Sequence, residues 1–405
     1  MMPSDREAAG QRIARARRRR GLSQAVLAGL AGRSESWLSQ VERGKRGIDS
    51  HSVLMRLAEV LQVDIAELTG SAVRDETGRR AYPAASLIEQ AMMGYGAPGP
   101  SDGADEPVRD VSLDFLRAQA RSAYQAYQAT RYDAAGRILP GLIRAVETAA
   151  RIAGSGSPAT WAIRARVYDA TAALLSRVGE PFLAWAAADR AMFAAGQSGD
   201  PLLAAASAWR MSYMISSRKH PQEALELAMS AAAALERRMR APSPERLSVY
   251  GALHLAAATA AASFDRATTQ PLLATARGIA DRIGEANHMG TAFGPVNVAI
   301  HAVSASLKLG DPRTATQTGE ALDLATMPAG LVGRRTQVNL DLARAYAMTR
   351  KDAAAVNLLL AAERLSPQLV RYDPATRDVL TELLRREHRP STPELRPLAR
   401  RAGVI

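Results

Sequence analysis

A segment near the N-terminus carries side chains that can hydrogen-bond to the edges of nucleic-acid bases. Leu38 and Val41 share one face of a predicted helix over residues 35–43, and the rest of that helix is polar. A glutamine amide can make paired hydrogen bonds to adenine, a glutamate can accept from the amino group of cytosine, and serine fits several bases. The polar side chains are Glu35, Ser36, Ser39, Gln40 and Arg43. Their chemistry is that of sequence reading rather than of bond making.

The composition offers little for other kinds of chemistry. The 405 residues contain no cysteine and six histidines, which excludes disulfides, thiol nucleophiles and cysteine-ligated metals and leaves few other metal ligands. We find no glycine-rich phosphate loop, nucleophile motif or pair of acids in a recognisable setting. We therefore expect a protein that is not an enzyme and that uses no cofactor and no metal.

Composition also predicts the fold class and the location. Abundant alanine with only 5% aromatic residues favours closely packed helices over strands, so we predict an all-α protein. The N-terminus lacks the apolar run of a signal peptide. The longest apolar stretches, such as residues 256–263, fall short of the roughly 20 residues that a membrane helix needs. We expect a cytoplasmic, nucleoid-associated protein that does not bind membranes.

Residues 1–70 predict four or five short helices that position the polar segment. Ser23 and Ser34 each precede a helical pattern and can cap it through their hydroxyls. Ala28 is small enough for two helices to cross closely. The predicted turns contain glycines, which adopt left-handed conformations without strain, at Gly21, Gly32, Gly44 and Gly47. These features describe two helices joined by a tight turn.

Residues 21–70 resemble the lambda-repressor-like helix-turn-helix family, the XRE group of bacterial regulators. The serine caps, Ala28, Gly32 and the basic loop after the second helix carry the likeness. The resemblance implies a DNA-binding domain whose second helix enters the major groove. By position, it implies that the base-reading residues are Glu35, Ser36, Ser39 and Gln40. The residues implied to contact phosphates, which position a domain without reading sequence, are Gln24, Arg43, Lys45 and Arg46.

Several features of this domain have more than one interpretation. Arg33 stands where the family usually has an apolar residue, so its guanidinium must extend outward or bond locally. Gly29 lies inside the helix before the turn, at a cost of up to about 1 kcal/mol relative to alanine. The run Arg17–Arg20 can contact the DNA backbone or form a solvated cap at the end of the first helix. The whole motif can also serve as a protein-binding module.

Residues 71–110 differ in composition from the segments on either side. They are rich in Gly, Pro and Asp, and their net charge of −3 contrasts with +4 for residues 1–70 and +11 for residues 111–405. We predict a linker with a short helix near residues 86–94, which acts as a spacer or contributes to a dimer contact.

From residue 111 the sequence predicts long amphipathic helices interrupted by six similar breaks. Successive breaks are 47, 40, 46, 45 and 41 residues apart when marked at Tyr132, Gly179, Lys219, Asp265, Gly310 and Lys351. Two-helix units of this length stack because each needs its neighbours to bury its apolar face. We predict six helical hairpins within residues 111–370 and an α-solenoid over residues 111–405.

These units resemble tetratricopeptide repeats. The small residues after the turn carry the likeness, as in YDAAGRILP, which ends in Pro140, and DAAAVNLLLAAERLSP, which ends in Pro367. The spacing exceeds that family's period of about 34 residues, and the tryptophan and glycine of its first helix are mostly missing. We therefore describe the units as tetratricopeptide-like.

The excess of arginines in the predicted solenoid indicates solvated faces and ion pairs, or a groove for a peptide or an acidic small molecule. Asn297 and Asn339 precede their breaks by 13 and 12 residues, which predicts matching sites on the first helices of successive units. The alternative for each is a hydrogen bond to a neighbouring helix. The candidate ligand-binding residues are Arg210, Asn297, His301 and Asn339. We expect Trp161, Trp185 and Trp209 in the core.

A DNA reader joined to such repeats resembles the peptide-pheromone-sensing regulators of Gram-positive bacteria and the arginine-rich regulators of actinomycetes. The resemblance implies a homodimer on a two-fold operator in double-stranded DNA, with a peptide, a small molecule or a protein partner bound by the solenoid. The expected function is a sequence-specific transcriptional regulator. The alternatives are a scaffold for protein partners that the helix-turn-helix recruits to DNA, and an antitoxin-like partner.

Overall fold

The computed structural model describes residues 5–48, 51–61, 63, 68, 82–94, 112–152, 157–238 and 242–405. The chain divides into two compact units, Met1–Pro83 and Ala84–Ile405. Every regular element in the described residues is a helix, which confirms the predicted all-α class. None of the described helices is long and apolar enough to cross a membrane.

The N-terminal unit contains four described helices, which agrees with the four or five predicted. They are α1 (Asp5–Arg19), α2 (Gln24–Leu30), α3 (Glu35–Glu42) and α4 (His51–Leu61). Their apolar faces form one core, whose fully buried members include Ile13, Leu27, Leu38 and Leu57.

The predicted caps and most of the predicted turns are confirmed. The Ser23 hydroxyl accepts from the Val26 N–H and the Ser34 hydroxyl accepts from the Trp37 N–H, both at 3.2 Å. The left-handed backbone expected of turn glycines occurs at Gly21, Gly32 and Gly44, whereas Gly47 does not adopt it. Serine caps and three glycines therefore fix where α2 and α3 begin and how they are joined.

Helix α1 crosses α3 at a glycine. A Cβ on Gly10 would lie 2.2 Å from the carbonyl oxygen of Val41 and 2.8 Å from that of Glu42. Because both neighbours are backbone atoms, only glycine allows α1 to approach α3 this closely.

The C-terminal unit begins with α5 (Ala85–Met92), the short helix expected near residues 86–94. It packs against the second helix of the first hairpin, and the Arg190 guanidinium donates to the Met92 carbonyl at 2.7 Å. This helix therefore belongs to the packed C-terminal unit rather than to a free linker. Most of the predicted linker, residues 71–81 and 95–110, lies outside the described residues, and the domain limits at 70 and 110 stay predictions.

Six helical hairpins follow, as the repeat spacing predicts. The first helices are α6 (Leu113–Gln128), α8 (Pro158–Arg177), α10 (Pro201–Ser217), α12 (Pro244–Ala261), α14 (Pro295–Lys308) and α16 (Val332–Met348). The second helices are α7 (Tyr132–Ile152), α9 (Pro181–Gln197), α11 (Pro221–Arg237), α13 (Arg266–Ile283), α15 (Pro312–Glu320) and α17 (Asp352–Leu365). Each hairpin packs against the next, largely through buried alanines. The unit ends with α18 (Pro367–Tyr372), α19 (Pro374–Arg385) and α20 (Leu395–Arg401).

Five of the six hairpin turns use the same backbone device. The second residue after the first helix is left-handed, and the following N–H reaches back to a carbonyl in the last turn of that helix. These left-handed residues are Thr130, Gly179, Lys219, Gly310 and Arg350. Only two are glycines, so the turns are held in place by their hydrogen bonds and by packing as much as by residue type.

Prolines start helices more often than they end them. Pro367 follows α17 and occupies the first turn of α18, where a missing N–H costs nothing. Pro140, whose position resembles the end of a tetratricopeptide repeat, instead lies inside α7. Helix α7 continues past Pro140 to Ile152.

Candidate functional site

The predicted base-reading residues all lie on α3, and their role stays a prediction. Glu35 and Ser36 are exposed at the start of α3, while Ser39 and Gln40 are half-buried further along it. The Arg43 guanidinium folds back onto Ser39, with Nη2 donating to Oγ at 2.7 Å and Nε donating to the carbonyl at 3.1 Å. Arg43 is thus preoriented beside the polar face of α3.

The basic loop after α3 is tied to the end of that helix. The N–H groups of Lys45 and Arg46 both donate to the Gln40 carbonyl, at 2.9 and 3.2 Å, and both side chains are exposed. These hydrogen bonds fix the backbone that carries both charges relative to α3. Exposed cations can contact phosphates, and this role stays a prediction for Lys45 and Arg46.

A buried carboxylate joins α1, α2 and α3. Arg17 Nε donates to Glu42 Oε1 at 2.7 Å, and Arg17 Nη2 donates to Glu42 Oε2 at 2.9 Å. Gln24 Nε2 donates to Glu42 Oε2 at 2.7 Å, so this predicted phosphate contact also has an internal partner. The hydrogen bond to Glu42 raises the pKa of Arg17. Arg17 is therefore a structural residue, and both interpretations of the Arg17–Arg20 run are wrong at this position.

The Arg33 side chain extends outward and packs against a neighbouring aromatic ring, as expected. Its guanidinium lies 5.7 Å from the centre of the Trp37 ring and is exposed. It stacks on an aromatic face while keeping its charge in solvent.

The C-terminal unit contains a cavity of about 520 Å³ on the side of its first helices. Helices α6, α8 and α10 form one wall, and residues 287–290, between α13 and α14, form the other. Of the predicted ligand-binding residues, Arg210 lines this cavity. Asn297, His301 and Asn339 are not among its lining residues, so their role stays a prediction.

Asn297 and Asn339 do not occupy matching sites. The left-handed turn residues define the register: Asn297 precedes Gly310 by 13 residues and Asn339 precedes Arg350 by 11. A shift of two residues turns a side chain about 200° around a helix, so the two asparagines face different sides. Asn297 is 1% exposed, whereas Asn339 is half-buried.

His301 lies in the interior, one turn after Asn297. Its Nδ1 is 3.1 Å from the Thr259 hydroxyl. Burial lowers the pKa of His301 well below its ordinary value, and Arg334 and Lys308 act in the same direction. The imidazole is therefore neutral at pH 7.

Two of the three tryptophans expected in the core are at least partly covered. Trp209 is buried and Trp161 is half-buried. Trp185 is 42% exposed, so its placement in the core is wrong. The Arg218 guanidinium lies over its ring at 6.0 Å and over that of Phe182 at 4.7 Å.

Sequence reasoning missed Asp169, the acid in the cavity wall. Its Oδ2 accepts from the Ser207 hydroxyl at 3.2 Å. Burial raises the pKa of Asp169 to about 6, although Arg210, the Ser207 hydroxyl and Arg166 lower it. A single acid within the apolar and alanine-rich pattern of α8 is the signal that marks it.

We expect Asp169→Asn to stabilise the C-terminal unit at pH 7.5 by about 1–3 kcal/mol. Because the folded-state pKa lies above the unfolded value of about 3.9, the folded protein binds this proton more tightly. Stability is therefore lost as pH rises from about 4 to about 6, and asparagine avoids that loss. Urea unfolding of both proteins at a series of pH values measures it. A variant less stable than the parent at pH 7.5 would show instead that the ionised carboxylate is favourable.

The capped α2–α3 pair, the polar face of α3 and the basic loop define a helix-turn-helix DNA-binding unit, here followed by an all-helical repeat unit. Residues 8–69 match a family model described as a helix-turn-helix domain, which confirms this part of the prediction.

Among solved structures, the chain is similar to PlcR of Bacillus thuringiensis, crystallised in complex with the peptide PapR7 and DNA. The identity is 14%, the match covers 87% of this chain and 99% of that chain, and the TM-score is 0.32. The likeness is too distant to transfer any property. A search of curated protein sequences gave no match.

Proposed function

We propose that this protein is a sequence-specific transcription regulator that binds an operator through α3 and responds to a ligand in its C-terminal unit. The observation that carries the proposal is the α2–α3 pair itself, with Glu35, Ser36, Ser39 and Gln40 on one face of α3 and Lys45 and Arg46 exposed after it. In such pairs the second helix reads base edges in the major groove. A homodimer on a two-fold operator is part of the proposal, because one short helix reads few base pairs.

Removing the Gln40 amide is expected to change base preference. Gln40→Ala should cost about 1–3 kcal/mol at one operator position and relax the preference there, since a glutamine amide can bond adenine twice. Binding to operators with every single base substitution measures this effect. Gln11→Ala, which removes an exposed glutamine on α1, is the matched control. An unchanged base preference in Gln40→Ala would contradict the placement of the recognition helix.

Removing the Lys45 charge is expected to weaken binding to all DNA alike. Lys45→Ala should lower the slope of log affinity against log salt by about 1, because one phosphate contact releases about one counterion. Titrations of operator and random DNA at several salt concentrations measure both quantities. Lys351→Ala, which removes an exposed lysine of the C-terminal unit, should leave the slope unchanged.

The alternative function is a scaffold for protein partners that the helix-turn-helix recruits to DNA. A gel shift on the protein's own promoter region, with and without culture extract, separates the two. Binding that responds to a small-molecule fraction of the extract supports sensing, and unresponsive binding with a co-purifying protein supports the scaffold. The cavity beside Arg210 favours sensing, since its volume of about 520 Å³ is that of small-ligand sites.

A further inference from the structure

The segment between α13 and α14, residues 284–294, is fastened across the C-terminal unit to α6; we name it the strap. Gln128 and Asn287 exchange amide hydrogen bonds at 3.2 and 2.8 Å, over 159 residues of sequence. The Gly290 carbonyl accepts from Tyr124 Oη at 2.8 Å and from Gln128 Nε2 at 3.0 Å. The strap therefore closes one side of the space between the first helices.

Two residues of the strap have an unfavourable backbone conformation. Met289 and Ala292 are non-glycine residues with left-handed backbones, at φ 53° and 55°. Such conformations persist only where surrounding contacts hold them, and they concentrate at ligand clamps and other functional sites. Here the Ala292 N–H donates to Asn287 Oδ1 at 3.0 Å.

The cavity behind the strap combines an apolar wall with an excess of positive charge. Four arginines, Arg117, Arg121, Arg166 and Arg210, line it against one acid, Asp169. Leu203, Trp209 and Met289 supply apolar surface. A ligand with a negative charge and a compact apolar body therefore matches these walls.

Two buried polar atoms of the lining residues have no hydrogen-bond partner within the described part of the chain. Arg210 is 7% exposed, and its Nη2 donates to Tyr124 Oη at 2.7 Å while its Nε is unpartnered. Asp169 Oδ1 is likewise unpartnered. A buried donor and a buried acceptor without partners are costly unless a ligand satisfies them.

We propose that this cavity binds a small organic anion that carries a hydroxyl or amino donor next to its charged group. The anion accepts from Arg210 Nε and Arg166, the neighbouring donor bonds Asp169 Oδ1, and the apolar body lies against Trp209. The inference names the ligand class for the sensing role proposed above and rests on that role only for its effect on DNA binding.

An extended peptide fits this space less well. Tyr124 and Gly290, which are hydrogen-bonded to each other, line both this cavity and a second cavity of about 40 Å³, which Tyr127 and Arg334 also line. An extended chain that occupied both cavities would have to pass this hydrogen bond of the strap to α6.

Isothermal titration calorimetry on the full chain tests the proposal. The probes are salicylate, anthranilate and 2-hydroxyphenyl phosphate, which distinguish carboxylate from phosphate, and salicylamide is the uncharged match. We expect at least one anion to bind, and salicylamide to bind at least about tenfold more weakly. Arg210→Gln should weaken binding of the anion at least about tenfold. Arg277→Gln, on the exposed side of α13, should leave anion binding unchanged. Arg166→Gln supplies a second test, because Arg166 is exposed and its guanidinium donates to the strap at Met289 Sδ, over 3.9 Å.

The proposal is overturned if no anion binds at up to about 10 mM, if salicylamide binds as tightly as salicylate, or if neither arginine variant weakens binding. Tighter binding of penta-alanine than of every small anion would also overturn it. The titrations contain no DNA, so anion binding that leaves operator affinity unchanged supports the cavity and contradicts the sensing role. Loss of operator binding in Gln40→Ala concerns only the DNA-binding proposal, because the anion titrations do not depend on operator binding.

Discussion

We expect Glu42→Gln to lower the free energy of unfolding of the N-terminal unit by about 3–5 kcal/mol. The side chains of Glu42 and Arg17 are 5% and 12% exposed, so the substitution leaves a guanidinium charge buried without its counter-ion. An amide NH₂ group is also unfavourable at the position of either carboxylate oxygen. Oε1 accepts from Arg17, and Oε2 accepts from Arg17 and Gln24, so an NH₂ group at either position meets a donor.

Hydrogen exchange of the full chain measures this effect, because peptides from α1 to α4 report on the N-terminal unit separately. A loss of about 3 kcal/mol lowers their protection by a factor of roughly 100. The matched control is Glu59→Gln, which removes a carboxylate from an exposed pair with Arg56 and should cost less than about 1 kcal/mol. Equal protection in the two variants would show that Glu42 does not hold α1, α2 and α3 together.

This ion pair shows what the sequence leaves open at the DNA-binding unit. The caps at Ser23 and Ser34 and the turn at Gly32 are local signals, and local signals were sufficient to place α2 and α3. Glu42 and Arg17 are 25 residues apart and meet only after α1 folds across α3. A run of four arginines reads as surface charge because nothing local marks one of them as buried.

The repeats show the same limit on a larger scale. Six breaks in the helical pattern were sufficient to predict six hairpins, since each break interrupts a long apolar periodicity. The register inside each hairpin was not predictable, because the left-handed turn residue is glycine at Gly179 and Gly310 but arginine at Arg350. The mark at Lys351 lies one residue after the left-handed Arg350, so Asn297 and Asn339, which differ in register by two residues, seemed to differ by one.

The cavity was the least predictable part of the molecule. Arg210 could be chosen from the sequence as a charge within an apolar helix. Asp169 lies on another helix, and the strap reaches α6 through Gln128 and Asn287, which are 159 residues apart. No periodicity encodes such a contact, so the site becomes visible only once the hairpins are stacked.

Gly251→Ala tests whether the packing of α12 against the strap holds the strap in place. We expect this substitution to destabilise the C-terminal unit by about 3 kcal/mol. A Cβ on Gly251 would lie 2.0 Å from Phe293 Cζ and 2.5 Å from both Cε atoms. Phe293 is fully buried at the end of the strap, so its ring can make room for the methyl group only by displacing its packed neighbours. Moving it also strains the neighbouring hydrogen bond between Thr291 and Ser248, which joins the strap to α12 at 2.9 Å.

Two controls separate this clash from a general effect of alanine. Gly278→Ala lies in the interior of α13 with no atom within 4 Å of the new Cβ, so it should stabilise the unit by about 0.5–1 kcal/mol. Combining Gly251→Ala with Phe293→Leu should recover part of the loss, because the shorter side chain makes room for the methyl group. Thermal unfolding and anion titration of the same variants measure packing and cavity closure together. If Gly251→Ala is as stable as the parent and binds the anion equally well, Phe293 does not fix the strap, and the cavity is closed by the contacts with α6 alone.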